Sequence, residues 1–328
     1  MWRRIPFAAA NLNTGITAVK RNGVGVFVTT FFITFISFGY LVIWIVALIG
    51  VYDKEGGGET SQEEVYTSSS WGGYVFLLLL ALFWSQQVFQ NTNHVVVAGV
   101  VSTWWFVPSE ASSCCSVATK DSFVRATTSS FGSICFGSLL VAIIQTLRSM
   151  VESARHDNTN DGCAAFVLCL VDCCLQCLQG MLEYFNKYAY IYIAMYGYSY
   201  LDAGKNVMAL FHARGWSIII ADDLVSNTLS LFCLIGGGLI GCVGLVVNAV
   251  FPSWLAGFED ASSGVAFGFA FLIGLVITSI MLSVVDSAVN TVLVSFAEAP
   301  AEFEQNHPEL SDEMRDAWML AYPIECGF

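Results

Sequence analysis

Residues 265–297 read VAFGFAFLIGLVITSIMLSVVDSAVNTVLVSFA, thirty-three residues with a single charge, Asp286. A helix that is apolar all round must be buried, either in a large protein core or in lipid. About 20 such residues are enough to cross a bilayer. Four more stretches meet that length: residues 24–51, 73–106, 129–147 and 224–251. Each boundary has a local cause. Gly56, Gly57 and Gly58 follow the first, and Pro108, Pro252 and Pro300 stop the second, fourth and fifth. Of the 328 residues, 56% are hydrophobic and 12% charged, against about 25% charged in a soluble domain. The mean hydropathy is +0.65. The chain is therefore read as all-α, a polytopic helical membrane protein with five to six transmembrane helices.

The net charge of −13 gathers in two places. Five acids and one Lys lie between Asp53 and Glu64, and eight acids and one Arg follow from Glu298 to the end. Such acidity excludes nucleic acid as a partner and reads as solvated segments that keep helix ends wet. The eleven cysteines are not a disulfide framework. Cys135, Cys233 and Cys242 sit inside apolar spans, Cys163, Cys169, Cys173, Cys174 and Cys177 share one segment, and none has a His at zinc spacing. They read as buried or membrane-facing thiols, with acylation near Cys173, Cys174 and Cys177 as the alternative. No metal or cofactor is expected, and no hydrolase or kinase motif is present.

Charge parity bears on the span count. Arg3, Arg4, Lys20 and Arg21 flank the first span, which puts that end in the cytoplasm. Lys120 and Arg125, Lys205 and Arg214, and the C-terminal tail fall inside if crossings are even in number. The sixth must then come from about residues 163–200, where an apolar stretch with Asp172 precedes a tyrosine-rich run. Arg148 and Arg155 then face outside, against the rule, so five crossings plus interfacial helices is the alternative. The chain divides into an interfacial linker (1–23), a helical bundle (24–297) with a Cys/Tyr-rich segment (149–222), and an acidic cytoplasmic tail (298–328). Residues 1–23 read as a linker between spans rather than as a natural beginning.

Polar residues within spans mark candidate sites, because hydrocarbon offers them nothing. On an ideal helix Trp84, Gln87, Asn91, His94 and Trp105 fall within about 80° of one another, and the polar break at 90–94 is expected to unwind the helix near mid-membrane. Ser279, Ser283, Asp286 and Asn290 fall within about 60°. Asp286 has no basic residue on its own helix and must be neutral, paired across helices or hydrated. The fourth span carries Asp223, Asn227, Ser230, Gly237, Gly241 and Asn248 on one side, read as a packing surface around the Gly237/Gly241 pair, with Asp222 and Asp223 at its N-terminus. Tyr188, Tyr190, Tyr192, Tyr196, Tyr198 and Tyr200 form either an aromatic belt or a cage for a quaternary ammonium group.

Five runs in order resemble the choline transporter-like family, including its fungal pH-nine-sensitive branch. They are RRIPFAAANL (3–12), HVVVAGVVSTWWF (94–106), SFGSICFGSL (130–139), NKYAYIYIAMYG (186–197) and VVDSAVNTVLVSFAE (284–298). The resemblance implies a ten-helix transporter of the plasma membrane or an organelle, of which this chain lacks about four N-terminal helices. It implies choline or ethanolamine as substrate, or thiamine pyrophosphate for one branch. The family's Phe-x-Glu-Asp-Leu-Glu pattern reads Phe296-Ala-Glu298-Ala-Pro300 here, and the basic residues usual in the Cys-rich segment are absent.

The resulting expectation is an alternating-access plasma-membrane carrier for choline or a related small organic cation, with no covalent chemistry. Its tentative binding residues are Trp84, Gln87, Asn91, His94, Tyr190, Tyr196, Asp286 and Asn290. Membrane lipid is the other expected partner, and the sequence leaves oligomeric state open. The alternatives are a non-transporting scaffold or lipid-remodelling protein, and a carrier for another solute such as a thiamine ester.

Overall fold

A computed structural model describes residues 5–56, 64–111, 116–157, 162–213, 224–251 and 262–321. The loop at 57–63, Cys114 and Cys115, Arg214, Asp222 and Asp223, and the turn at Pro252 lie outside the described residues. Among the described residues there are eleven helices: α1 (Ile5–Arg21), α2 (Val24–Gly56), α3 (Glu64–Phe106), α4 (Val117–Thr127), α5 (Phe131–Asp157), α6 (Gly162–Tyr196), α7 (Tyr200–Ala213), α8 (Leu224–Val250), α9 (Ser262–Glu298), α10 (Pro300–Asn306) and α11 (Pro308–Ala321). Six are long and apolar enough to cross a membrane: α2, α3, α5, α6, α8 and α9. The sixth comes from a single helix, because Cys163 and Tyr190 lie on the same unbroken α6. That helix ends at Gly197, whose φ of 71° is left-handed and costs a glycine little. Gly23, at φ 65°, makes the corresponding break between α1 and α2.

The expected unwinding at 90–94 does not occur. α3 runs continuously through 43 residues. No Gly or Pro falls between Tyr74 and Ala98, and Asn91 and His94 bond to neighbouring helices through their side chains, so their backbone stays in its own ladder.

The chain forms two compact units, residues 1–30, 100–119 and 209–328 in one and 31–99 and 120–208 in the other. The core of the first is the α8/α9 hairpin, with α1 and the tail helices packed on it. The hairpin closes through small residues. A Cβ on Gly241 would stand 2.7 Å from Phe267, and one on Gly274 would stand 3.0 Å from the Gly237 backbone. The Gly237/Gly241 pair is thus a packing surface, which the hairpin extends to Gly274. α1 buries Phe7, Ala10, Asn11, Thr14, Gly15, Ala18 and Val19, an i, i+3, i+4 stripe. At Gly15 that stripe lies so close to α9 that a Cβ would meet Val289 Cγ2 at 2.8 Å.

The acidic tail folds against this unit. Phe303, Met314 and Trp318 are fully buried, while Glu302, Glu304, Glu309, Asp312, Glu313 and Asp316 face outward. Trp318 packs on Phe7 of α1 and Phe296 of α9, with ring centroids 5.2 and 4.2 Å away. Trp105 shares a helical angle with Trp84, but its indole stacks on Phe303 at 3.9 Å and its Nε1 donates to the Ala299 carbonyl at 3.1 Å. Asn306 Nδ2 donates to the Trp105 carbonyl at 2.8 Å. His307 stacks on Trp104 at 4.0 Å and its Nε2 donates to the Trp104 carbonyl at 3.2 Å.

Burial, helped by repulsion from Arg21, holds the His307 imidazole below its ordinary value, against the opposing pull of the Trp104 carbonyl. An undocked ring takes up its proton near 6.5, and the docked ring only at lower pH. Docking of the tail is therefore at full strength above 6.5 and weakens as pH falls below it. Protease cleavage within 308–321 is expected to be faster at about pH 5.5 than at about pH 7.5, and the His307→Gln variant to lose most of that difference.

Candidate functional site

The stripe on α3 meets α5, α6 and α7 inside the second unit. Asn91 Nδ2 donates to Ser138 Oγ on α5 at 2.9 Å, with longer contacts of 3.5 Å to Tyr190 Oη and Gln87 Oε1. His94 Nε2 lies 2.8 Å from the Lys187 carbonyl of α6. A carbonyl only accepts, so that nitrogen carries the proton. Tyr190 Oη donates to the Ile134 carbonyl at 3.2 Å, and Asn186 Nδ2 to the Gly137 carbonyl at 3.1 Å. A carbonyl oxygen has two lone pairs, so these helical carbonyls can accept from side chains besides serving their own ladder. Tyr200 Oη of α7 donates to Asn186 Oδ1. Burial pushes the Tyr200 hydroxyl up to about 12, so it remains a donor at physiological pH. Gly137 is what lets the two tyrosines in, since a Cβ there would stand 2.5 Å from Tyr190 Oη.

Trp84 lies two turns earlier on the same stripe, and its Nε1 donates to the Cys135 carbonyl at 3.0 Å. Its ring borders a cavity of about 330 Å³ among α2, α3, α4 and α5. Tyr196 packs on Tyr192 and stacks on Tyr198, with ring centroids 5.2 and 5.4 Å away, at the exposed end of α6. The six tyrosines do not form one cage: Tyr188, Tyr190, Tyr192 and Tyr200 are buried, and Tyr196 and Tyr198 are exposed.

Asp286 and Asn290 belong to the first unit. Ser226 Oγ of α8 donates to Asp286 Oδ1 at 2.6 Å, and Asn290 Nδ2 donates to Oδ2 at 3.1 Å and to the Asp286 carbonyl at 2.7 Å. Among the described residues no Lys or Arg pairs with this carboxylate. Ser279 and Ser283, the rest of that stripe, face outward. The structure thus joins Gln87, Asn91, His94 and Tyr190 in one cluster, and Asp286 with Asn290 in another.

Sequence reasoning gave no role to Ser138, Asn186 and Ser226, and read Tyr200 only as one ring of the tyrosine run, not as a partner of Asn186. Asn186 carried a usable signal, because it lies one helical turn before Tyr190. The others became visible only once helices were paired. Among the described residues, no three of His, Cys, Asp and Glu converge as metal ligands would.

The model of the plasma-membrane choline transporter family matches residues 1–301. The chain belongs to that family. Protein PNS1 of Cryptococcus neoformans var. neoformans is 36% identical over 199 residues, 60% of this chain and 36% of the relative. Protein PNS1 of Mycosarcoma maydis is 37% identical over 202 residues, 60% of this chain and 38% of the relative. In Saccharomyces cerevisiae, Protein PNS1 is 35% identical over 204 residues, 61% of this chain and 37% of the relative. The chain spans a little over a third of the length of these curated relatives. With six membrane-length apolar helices, this family member is an integral membrane protein.

Two substitutions separate packing from hydrogen bonding in the cluster. Tyr190→Phe removes one interhelical donor and is expected to cost about 0.6 kcal/mol, the average for such bonds in membranes. Gly137→Ala drives a methyl into the tyrosines and is expected to cost about 1–3 kcal/mol. Thermal unfolding in detergent checks the ranking, with Gly137→Ala the lower-melting variant.

Proposed function

We propose that this chain is part of an alternating-access carrier for choline or a related small organic cation in the plasma membrane. The observation that carries the reading is the uncharged hydrogen-bonded cluster around Asn91 and Tyr190 on membrane-spanning helices of a chain in the choline transporter family. Polar groups on membrane-spanning helices are expensive and mark transport paths. Trp84 offers a ring to the ammonium group, and Tyr196 a second ring at the helix end. Gln87, Asn91 and His94 with Tyr190 exchange bonds with a substrate hydroxyl or water as helices move. Asp286, supported by Ser226 and Asn290, balances positive charge or takes a proton. In this reading residues 1–23 and the tail 298–328 lie on the cytoplasmic side of the helical bundle.

A second reading has its own observation. Asn91 and His94 bond directly to Ser138 and to the Lys187 carbonyl, which is how polar side chains join helices in a protein that carries nothing. Such a protein would scaffold or remodel the bilayer.

Uptake of radiolabelled choline into cells expressing the protein tests the proposal. Saturable uptake above the empty vector is expected. Asp286→Asn is expected to lower it about tenfold, the equivalent of one charge-assisted bond of about 1.5 kcal/mol, at unchanged surface level. His94→Ala should lose uptake in a carrier that stays folded, whereas a scaffold loses stability or shows no change. Uptake equal to the vector, with the protein confirmed at the surface, would sink the carrier.

A further inference from the structure

The cavity bordered by Trp84 lies outside the hydrogen-bonded cluster, and its shape and lining limit what can fill it. Five aromatic side chains border it: Phe32 from α2, Trp84 and Phe89 from α3, Phe123 from α4 and Phe131 from α5. No carboxylate, amine or guanidinium lines it. Two of its polar groups are already bonded within the protein, since Trp84 Nε1 donates to the Cys135 carbonyl and Thr127 Oγ1 to the Phe123 carbonyl. Phe32, Trp84 and Phe131 are exposed, so the space is a groove open along the helices rather than a closed void. On α3 its lining runs from Trp84 to Thr92, about 12 Å along an ideal helix. About 330 Å³ drawn out over that length is narrower than a helix with its side chains, which is about 10–12 Å across.

These features select among occupants. A polar solute gives up its hydration here for little in return. A further helix is too wide. A hydrocarbon chain suits both the width and the lining. The α4 end of the groove then tells what the chain is attached to. Phe123 and Thr127 belong to that 11-residue helix, which also carries Lys120 and Arg125 and which the positive-inside rule places on the cytoplasmic side. Lys120 comes one turn before Phe123 and lies about 60° from it, and about 20° from Thr127, on an ideal helix. It is exposed, and among the described residues no carboxylate pairs with it. A lysine so placed lays its stem along apolar surface and presents its ammonium at the headgroup level. The cytoplasmic leaflet is where anionic lipids attract such residues. We infer that the groove holds one acyl chain of an anionic phospholipid from the cytoplasmic leaflet, with the lipid phosphate at Lys120. The chain runs from Phe123 towards Ile36, Trp84 and Cys135. An indole has two faces, so this contact is compatible with the ammonium contact proposed above, and either reading stands if the other fails.

Photocrosslinking tests the assignment. The intact protein is reconstituted in phosphatidylcholine vesicles doped with a lipid that carries a diazirine on one acyl chain, either phosphatidylserine or phosphatidylcholine. Crosslinked residues are located by mass spectrometry. Groove residues Ile36, Phe89 and Cys135 report on the site, and Phe35 and Ile43, exposed on α2 and absent from its lining, report on ordinary lipid contact. The phosphatidylserine probe is expected to label the groove about fivefold more than the phosphatidylcholine probe, the preference that one lysine near a membrane surface supplies. In Lys120→Gln the two probes should label the groove equally, with labelling of Phe35 and Ile43 unchanged. Val88→Trp narrows the groove and should lower labelling there by both probes. Labelling that follows exposure alone, with no excess in the groove, means ordinary lipid contact only and overturns the site. Equal groove labelling by the two probes in the unaltered protein, or a preference that survives Lys120→Gln, overturns the phosphate contact. Groove residues left unlabelled beside labelled Phe35 and Ile43 mean that something other than lipid fills the groove. Choline uptake is not part of the readout, so none of these outcomes bears on the carrier reading.

Discussion

Hydrocarbon offers no hydrogen-bond partner, and that constraint organises everything polar in this chain. A side chain such as Asn91 or Asp286 must find its partner on another helix or within a turn of its own. The contacts follow from that demand. Asn91 reaches Ser138, Asn186 reaches the Gly137 carbonyl, and Asp286 is met by Ser226. Close approach of backbones is the other half of the same requirement, because lipid tails pack against Leu as well as another helix does. Helix pairing then depends on contact area, and small residues provide it. Gly237, Gly241 and Gly274 do so in the α8/α9 hairpin and Gly15 under Val289.

Those bonds also bear on movement. A helix pair joined by strong bonds would resist rearrangement, whereas single membrane hydrogen bonds average about 0.6 kcal/mol. The Asn91 cluster joins four helices through several such bonds rather than one strong ion pair. Each can be exchanged for a bond to water or solute at small cost. The Arg148–Asp172 pair, at 3.1 Å and with both side chains about one-third exposed, anchors α5 to α6 away from that cluster.

Much of the architecture was legible in sequence because membrane thickness imposes a length on apolar runs. The five long runs became α2, α3, α5, α8 and α9. The sixth was harder to read, since Asp172 interrupts the hydropathy; parity of charge pointed to 163–200, where α6 is long and apolar enough to cross a membrane. The expectation of unwinding at 90–94 failed because a polar side chain and a polar backbone were treated alike. Asn91 and His94 find partners sideways while their peptide groups stay in the helix. The angular stripe brought Gln87, Asn91 and His94 together correctly and misplaced Trp105, because a helical wheel ignores distance along the axis. Trp105 lies 21 residues beyond Trp84, about 32 Å on an ideal helix, and holds the tail. Ser138 and Ser226 stayed hidden, as did the pairing of Tyr200 with Asn186, because no pattern within one helix names its neighbour.

The tail shows how surface charge can choose between two apolar destinations. α11 has a buried stripe of Ser311, Met314, Ala317 and Trp318 and an outward face bearing Glu309, Asp312, Glu313 and Asp316. Amphipathic helices with basic outer faces settle on anionic headgroups, drawn by the negative surface potential of the leaflet. An acidic outer face inverts that attraction. The same Trp318 that could sink into a lipid interface is kept off it by four negative charges and is left with Phe7 and Phe296 as its apolar destination. Acidity in this segment thus acts as a sorting signal between protein and bilayer. Neutralising it with lysines would be a way to convert an intramolecular strap into a peripheral membrane anchor.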